Sequence, residues 1–296
     1  MGIPRLSIVV VNFNRRERLR HCLSSIPSAI PNYPFELFVV DNGSGDGSVA
    51  MVQEQFPQAI VMQQNTNQGF SRAVNRALKQ ATGNYFLCLN NDAWLTPGSL
   101  DRLLSFMEVH PDIGIVGGKI LNADGSLQFS ARSFPTFATA LFNRTSLLTR
   151  LFPKNRFSRR YLLSDWDHAC PQEVDWVSGS FLTIRRAACE AIGVLDERFF
   201  LFCEDVDWCL RAKQAGWKVT YLPDAVAIHS MEKRDNPYQA VLAHHQSMFR
   251  FYRKHLRRSR LLDPVVGAGI GLRVAVAFGR LLISSNRQNG RHSHLL

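Results

Sequence analysis

The run Tyr85-Phe86-Leu87-Cys88-Leu89, followed at once by Asn90-Asn91-Asp92, constrains this chain more than any other stretch. An unbroken apolar run of this length reads as a strand buried on both faces, the habit of parallel strands in α/β sheets. The abrupt change to two amides and a carboxylate brings that strand out at a surface. In open α/β sheets ligands sit just beyond the carboxyl ends of the strands, so Asp92 falls where a ligand would be held. Asn-Asn-Asp equally suits a polar loop between strand and helix, and on this stretch alone both readings stand. Thr96-Pro97 then supplies a cap and a first-turn proline for a helix carrying Leu100, Leu103, Leu104 and Met107 at helical spacing.

The upstream sequence repeats the pattern. Leu6 to Val11 reads as a strand ending at Asn12-Phe13-Asn14, with Leu19, Cys22, Leu23 and Ile26 on the helix after it. Phe35 to Val40 is a second strand, ending in Asp41-Asn42-Gly43-Ser44. Residues 59–62 form a third, before Asn67-Gln68-Gly69-Phe70 and a helix with Ala73, Val74, Ala77 and Leu78. Strands alternating with helices imply an α/β fold: a mostly parallel sheet flanked by helices, with right-handed crossovers and its ligand-facing loops on one edge. That edge gathers Phe13, Asn14, Asp41, Gly69, Asn91 and Asp92.

Its first turn, Asn12 to Arg16, contains no glycine. A dinucleotide fold needs glycines there so that backbone can approach a pyrophosphate, which argues against NAD or FAD. Phosphates would instead be neutralised by a divalent cation on Asp92, since Mg²⁺ commonly uses one or two carboxylates plus phosphate oxygens and water. Asp41 is placed to accept a hydrogen bond from a pyrimidine N–H, and Phe13 to stack on the base.

Together, Val11-Asn12-Phe13-Asn14, Val40-Asp41-Asn42-Gly43-Ser44, Asn67-x-Gly69-Phe70, Leu89-Asn90-Asn91-Asp92, Val177-Ser178-Gly179-Ser180-Phe181 and Glu204-Asp205-Val206-Asp207-Trp208 resemble family 2 glycosyltransferases of the GT-A fold. The resemblance is to bacterial rhamnosyltransferases of polysaccharide assembly in particular, and covers roughly the first 230 residues. It implies an inverting, metal-dependent transferase with a nucleotide-sugar donor (dTDP- or UDP-linked). Asp41, Phe13, Asn14, Gly69 and Asn91 would then face the nucleotide, and Asp92 and His229 would ligate Mg²⁺ or Mn²⁺. Asp205 would be the general base, with Trp176, Gly179 and Glu204 on the acceptor side and Trp176 as a sugar-stacking platform. Asn91 stands where the family commonly has a second aspartate, and an amide is a weaker ligand for a hard cation. Without the resemblance, Glu204 and Asp205 would read as first-turn carboxylates favouring a helix dipole. His229 would read as an ordinary histidine, and Asp207 reads as structural in either case.

The remaining segments suggest a membrane surface. Between residues 133 and 172, Arg144, Arg150, Lys154, Arg156, Arg159 and Arg160 interleave with Phe142, Leu147, Leu148, Leu151 and Phe157, the mixture of a mobile or membrane-facing insertion or of a solvated loop with anchors. Val174 to Ile184 resumes as a strand. Tyr238 to Leu256 is helical in pattern, and Arg250, Arg253, Lys254, Arg257, Arg258 and Arg260 crowd its end. Residues 261–283 are apolar but interrupted by Pro264, charges and glycines, which favours an interfacial or re-entrant segment over a span. A polar, disordered tail is expected from residue 284. The domains are thus expected to be a transferase domain at 1–235, a C-terminal helical region at 236–283 and a tail at 284–296.

The formal charge of +11 fits an anionic membrane surface, and no basic-aromatic strand pattern of a nucleic-acid binder accompanies it. Six cysteines without a C-x-x-C pair, and a first strand starting immediately after Arg5, suggest reduced thiols and no secretory leader. The expected setting is the inner face of the cytoplasmic membrane, with a lipid-linked or other glycan as acceptor. A silent sugar-nucleotide or glycan-binding module would keep Asp41 and Phe13 without needing Asp205.

Overall fold

The computed structural model describes residues 6–136, 156–230 and 236–292. The backbone divides into two units, Met1–Glu197 with Glu204–Met231, and Arg198–Cys203 with Glu232–Leu296.

The first unit is built on one mixed sheet. Strands β1 (Leu6–Asn12), β2 (Phe35–Asp41), β3 (Ile60–Gln63) and β4 (Tyr85–Asn90) run parallel in the order β3-β2-β1-β4. β1 and β4 are buried along most of their length, which is why their sequences are almost continuously apolar. Helices α1 (Arg16–Ala29), α2 (Ser48–Gln55) and α3 (Phe70–Leu78) make the crossovers. Strand register brings the polar residues together. Asn12 lies beside Asp41 across β1 and β2, and Val11 beside Asn90 across β1 and β4, so the polar strand ends finish level. Gly69 precedes α3 at φ 87 and ψ 173, a conformation essentially closed to other residues.

After β4 the pattern changes. The chain runs through β5 (Ala93–Leu95), α4 (Ser99–Val109) and β6 (Ile113–Leu121), then turns back as a hairpin into β7 (Leu127–Gln128). Next come β8 (Ala131–Arg132), α5 (Arg156–Leu162), β9 (Gln172–Glu173), β10 (Trp176–Val177), β11 (Phe181–Arg185), α6 (Arg186–Ile192), α7 (Glu204–Gln214) and β12 (Lys218–His229). β11 is antiparallel to both of its neighbours, β4 and β6, while β12 is parallel to β6 and antiparallel to β5.

Two sequence expectations change here. Thr96 and Pro97 do not begin the helix, because Thr96 gives both its N–H and its hydroxyl to the Val226 carbonyl (3.1 Å each), tying the chain to β12. The helix starts at Ser99, after Gly98 in the left-handed region at φ 68. Residues 174–184 are not one strand either: β10 pairs with β8, Ser178 bonds the Ser130 carbonyl, and a bend at Ser178–Ser180 separates β10 from β11. Most of the basic and apolar insertion, including Arg144, Arg150, Lys154, Phe142, Leu147, Leu148 and Leu151, lies outside the described residues. Arg156, Arg159 and Arg160 lie on α5.

In the second unit, α8 (Pro237–Phe251) is capped by Asn236, whose side chain accepts the Gln239 N–H at 3.0 Å. A π-helical turn at Tyr252–Leu256 and a short 3-10 turn lead into α9 (Asp263–His292). Pro264 and the glycines do not interrupt α9. The proline sits in the first turn, where no N–H is required, and the glycines cost helix propensity without breaking the ladder. Nor is residue 284 a boundary, since the helix continues to His292. Arg260–Ile283 is thus long and apolar enough to cross a membrane by length and composition, and none of its apolar window is buried within the protein.

Two glycines in β6 let neighbouring segments close on the sheet. A Cβ on Gly117 would lie 2.4 Å from Val177 Cβ, and one on Gly118 would lie 2.2 Å from Phe181 Cε1 and 2.6 Å from the Ala225 carbonyl oxygen. Gly118→Ala should therefore lose about 1–3 kcal/mol of stability or more by overpacking. Gly45→Ala, where nothing lies within 4 Å, should stay within about 0.5 kcal/mol of the parent. Urea denaturation of the two variants checks the contrast.

Candidate functional site

The level strand ends are stitched together by amides. Asn12, fully buried, gives its Nδ2 to Asp41 Oδ2 (3.0 Å) and Ser44 Oγ (3.2 Å), and its Oδ1 accepts from Asn91 Nδ2 (2.7 Å). Asn91 is therefore a tie between loops, and its nitrogen is already committed. Asn14, at φ 50, bonds Ser44 Oγ through its N–H and accepts the Gly45 N–H. Asp41 is 1% exposed and accepts the Gly43 and Ser44 N–H groups on Oδ1. As found, Asp41 organises the turn; of its about four acceptor positions one is left for a ligand. Phe13, by contrast, is 43% exposed beside this network, with a ring face open to stacking. The Gly69 carbonyl accepts from Asn42, which fixes the next loop to the same edge.

Asp92 and His229 meet although 137 residues separate them, because the end of β12 pairs with β5 directly after Asp92 and the Ser230 N–H bonds the Asp92 carbonyl. His229 Nε2 lies 2.9 Å from Asp92 Oδ1, and His229 Nδ1 lies 3.0 Å from Gln128 Oε1. The Gln128 amide nitrogen is committed as a donor to Asn122 Oδ1 (2.7 Å) and to the His229 carbonyl (2.8 Å). Its oxygen must then be an acceptor, so His229 Nδ1 donates to Gln128, which leaves Nε2 either to share a proton with the Asp92 carboxylate or to offer a lone pair to a cation that takes the proton's place. Such a pair repels unless a proton or a metal cation lies between. Two adjacent ligands of an octahedral cation with bonds of about 2.1 Å stand about 3 Å apart, so the pair fits a divalent metal. Among the described residues no third His, Cys, Asp or Glu joins them, which leaves the other positions to phosphate oxygens and water. Arg18 Nη1 approaches the other oxygen, Asp92 Oδ2, at 3.5 Å. Burial raises the Asp92 carboxyl, but the His229 hydrogen bond and the charges of His229 and Arg18 outweigh it and hold the group below the usual aspartate range.

The acidic pair reaches the same edge by another route. Asn90 bonds Ser180 through its N–H to the carbonyl (3.1 Å) and through its side chain to Oγ (3.0 Å), and the adjacent Gly179 N–H donates to Asp205 Oδ2 at 2.9 Å. Asp205 Oδ1 accepts the Val206 N–H. Glu204 is 6% exposed, and its Oε2 has no hydrogen-bond partner among the described residues. Beside both carboxyls is a water-sized cavity of about 10 Å³ lined by Phe70, Cys88, Leu195 and Trp208. Burial and the neighbouring Asp205 charge push Glu204 well above the ordinary range. Burial also raises Asp205, against the Gly179 and Val206 N–H groups and the Arg132 charge, which favour its ionised form. Of the two carboxyls, Asp205 is the one whose contacts favour ionisation, as a base requires. Asp207 pairs with Arg211 at 2.9 Å and is fully buried, a structural role.

Trp176 needs correction. It is 7% exposed, its indole N–H donates to the Ser133 carbonyl, and the Arg132 guanidinium lies 5.2 Å from its ring centre. It offers no open face for a sugar; what it positions is Arg132. Sequence reasoning misses four site residues, Gln128, Asn12, Arg18 and Arg132. A polar residue just after the Asn122–Ser126 turn is the one local pointer to Gln128.

Residues 7–169 match the family model described as Glycosyl transferase family 2. An N-acetylglucosaminyl-diphospho-decaprenol L-rhamnosyltransferase of Mycobacterium tuberculosis is 30% identical over 259 residues, 83% of this chain and 83% of its own length. The rhamnosyltransferase WbbL of Escherichia coli is 34% identical over 95 residues, 31% of this chain and 36% of its own. Among solved structures, a mannosyltransferase from Pyrobaculum calidifontis in complex with GDP-Man and Mn²⁺ superposes with a TM-score of 0.60 at 18% identity, covering 100% of this chain and 81% of that one. The mostly parallel sheet flanked by helices is the GT-A arrangement.

The hydrogen-bond logic at His229 makes Gln128 a determinant of metal affinity. Gln128→Leu, similar in bulk and without the acceptor, should weaken Mn²⁺ binding about 10–100-fold, the usual cost of losing an outer partner of a metal ligand. Titration of free Mn²⁺ by EPR measures it.

Proposed function

The chain belongs to glycosyl transferase family 2, and from that premise we propose that it transfers L-rhamnose from a dTDP- or UDP-linked donor to a hydroxyl of a lipid-linked glycan acceptor. One observation carries the reading: Asp205 is hydrogen-bonded to the Gly179 N–H, and the adjacent Ser180 to Asn90, which ties the acidic pair to the strand that leads into Asp92. The naming of the rhamnosyltransferase relatives supports the choice of sugar.

Phe13 stacks on the donor base, and the remaining acceptor position of Asp41 takes a base N–H, while Asn12, Asn14, Asn91 and Gly69 keep those loops in place. Asp92 and His229 hold Mg²⁺ or Mn²⁺, which when bound offsets negative charge on the departing diphosphate. Asp205 takes the proton of the acceptor hydroxyl as that oxygen attacks the anomeric carbon. The bond from that carbon to the diphosphate oxygen breaks, its electron pair leaves with the diphosphate, and the anomeric configuration inverts. The Gly179 N–H keeps Asp205 aimed, and with the Arg132 charge it favours the ionised form against the burial that raises the group.

Asp205→Asn keeps side-chain size and cap geometry, so it should fold and bind donor while losing about 10²–10⁴-fold in rate. Glu204→Gln removes a group with no assigned proton transfer and should retain activity within several-fold. In the parent, kcat/KM should rise with pH through a midpoint above the ordinary aspartate value of about 3.9, since the base acts only when ionised. A folded Asp205→Asn protein that turns over within a few-fold of the parent contradicts the base assignment.

The acceptor is proposed to be met at the inner face of the cytoplasmic membrane. Leu261, Val265 and Leu272 are 87%, 68% and 68% exposed, next to the Arg250–Arg260 cluster, which pairs apolar surface with positive charge as interfacial helices do. Replacing all three with Glu should abolish sedimentation with anionic liposomes and leave turnover of a water-soluble acceptor intact. Unchanged sedimentation would contradict the membrane reading.

A further inference from the structure

Arg18 is placed oddly for a helix residue. It lies in the first turn of α1, where the helix dipole disfavours a cation, and it comes after Arg15 and Arg16. Glu17 is taken by Arg20 at 2.7 Å and approached by Arg16 at 3.8 Å. The Arg18 side chain instead turns toward the site and is 17% exposed, with Nη1 3.5 Å from Asp92 Oδ2 and 3.4 Å from the Ser230 carbonyl. Asp92 is thus shared: Oδ1 faces His229 Nε2, and Oδ2 faces a guanidinium. Because Asn91 stands where a second carboxylate would be, and its amide is tied to Asn12, no other acid joins Asp92 and His229 among the described residues.

We propose that Arg18 makes metal binding depend on the donor. Without donor, Arg18 partly neutralises Asp92 and repels a divalent cation entering between Asp92 and His229. A nucleoside diphosphate brings phosphate oxygens that the fork of a guanidinium matches, so Arg18 turns from Asp92 to the diphosphate and the full carboxylate charge is released to the metal. Donor and metal then each favour the other's binding, and by linkage to the same degree. The inference rests on the donor site proposed above.

The test uses the full chain with Arg18→Met, which keeps the aliphatic stem and helix propensity, and Arg18→Lys. UDP and dTDP are titrated calorimetrically in EDTA, uridine and thymidine serve as phosphate-free controls, and Mn²⁺ is titrated alone by EPR. Loss of one charge-assisted contact predicts about 10-fold or greater weakening of diphosphate binding in Arg18→Met, with the nucleosides unaffected. Mn²⁺ alone should bind tighter in Arg18→Met, by about as large a factor, and Arg18→Lys should lie between on both readouts. Unchanged affinities for both ligands, or a loss of both together, would overturn the inference, the second outcome meaning that Arg18 only holds the site in shape. A parent protein that binds neither nucleotide with or without Mn²⁺ overturns the donor-site reading and this inference with it; binding in the parent with no effect of Arg18→Met overturns this inference alone.

Discussion

His229 Nε2 faces a carboxylate oxygen of Asp92 2.9 Å away, and the rest of the site depends on that contact. Gln128 fixes the tautomer, the Asn122–Ser126 turn fixes Gln128, and the pairing of β5 with β12 brings Asp92 to His229. The links to His229 join groups more than a hundred residues apart, so the contact exists only when the sheet is complete. A ring nitrogen and a carboxylate oxygen held at this distance by so many other bonds fit a divalent cation in place of the proton between them.

The same sheet edge carries two separate networks. Asn12 and Asn91 tie the strand-end loops on one flank, and Ser180 and Gly179 hold Asp205 on the other, with β4 between them, the division that the proposed transfer uses. Burial without a partner for Oε2 raises Glu204, while two backbone N–H groups and a nearby arginine oppose the rise at Asp205. Adjacent residues of one helix turn thus meet different environments.

Much of this is legible in the sequence. β1, β2 and β4 announce themselves as apolar runs, each ending in Asn or Asp, because buried strands have no alternative composition and their ends must return to water. Asp92, Asp205 and Phe13 emerge from those ends and from the family resemblance. Gln128 and Arg18 are not legible, since nothing local distinguishes them from surface polar residues until β7 pairs with β6 and α1 packs beside Asp92. Trp176 misleads for the converse reason: the resemblance puts it on the acceptor side as a platform, but burial and Arg132 close its face. Interruptions counted along residues 261–283 also mislead, because a proline in a first turn and isolated glycines do not break a helix.

A cation between Asp92 and His229 is the centre of this mechanism. Pulsed EPR of Mn²⁺ bound with a nucleoside diphosphate to protein labelled with ¹⁵N-histidine measures it directly. The expected result is hyperfine coupling to a single histidine nitrogen that disappears in His229→Gln. Mn²⁺ bound with no histidine coupling, or with coupling that survives His229→Gln, would contradict it.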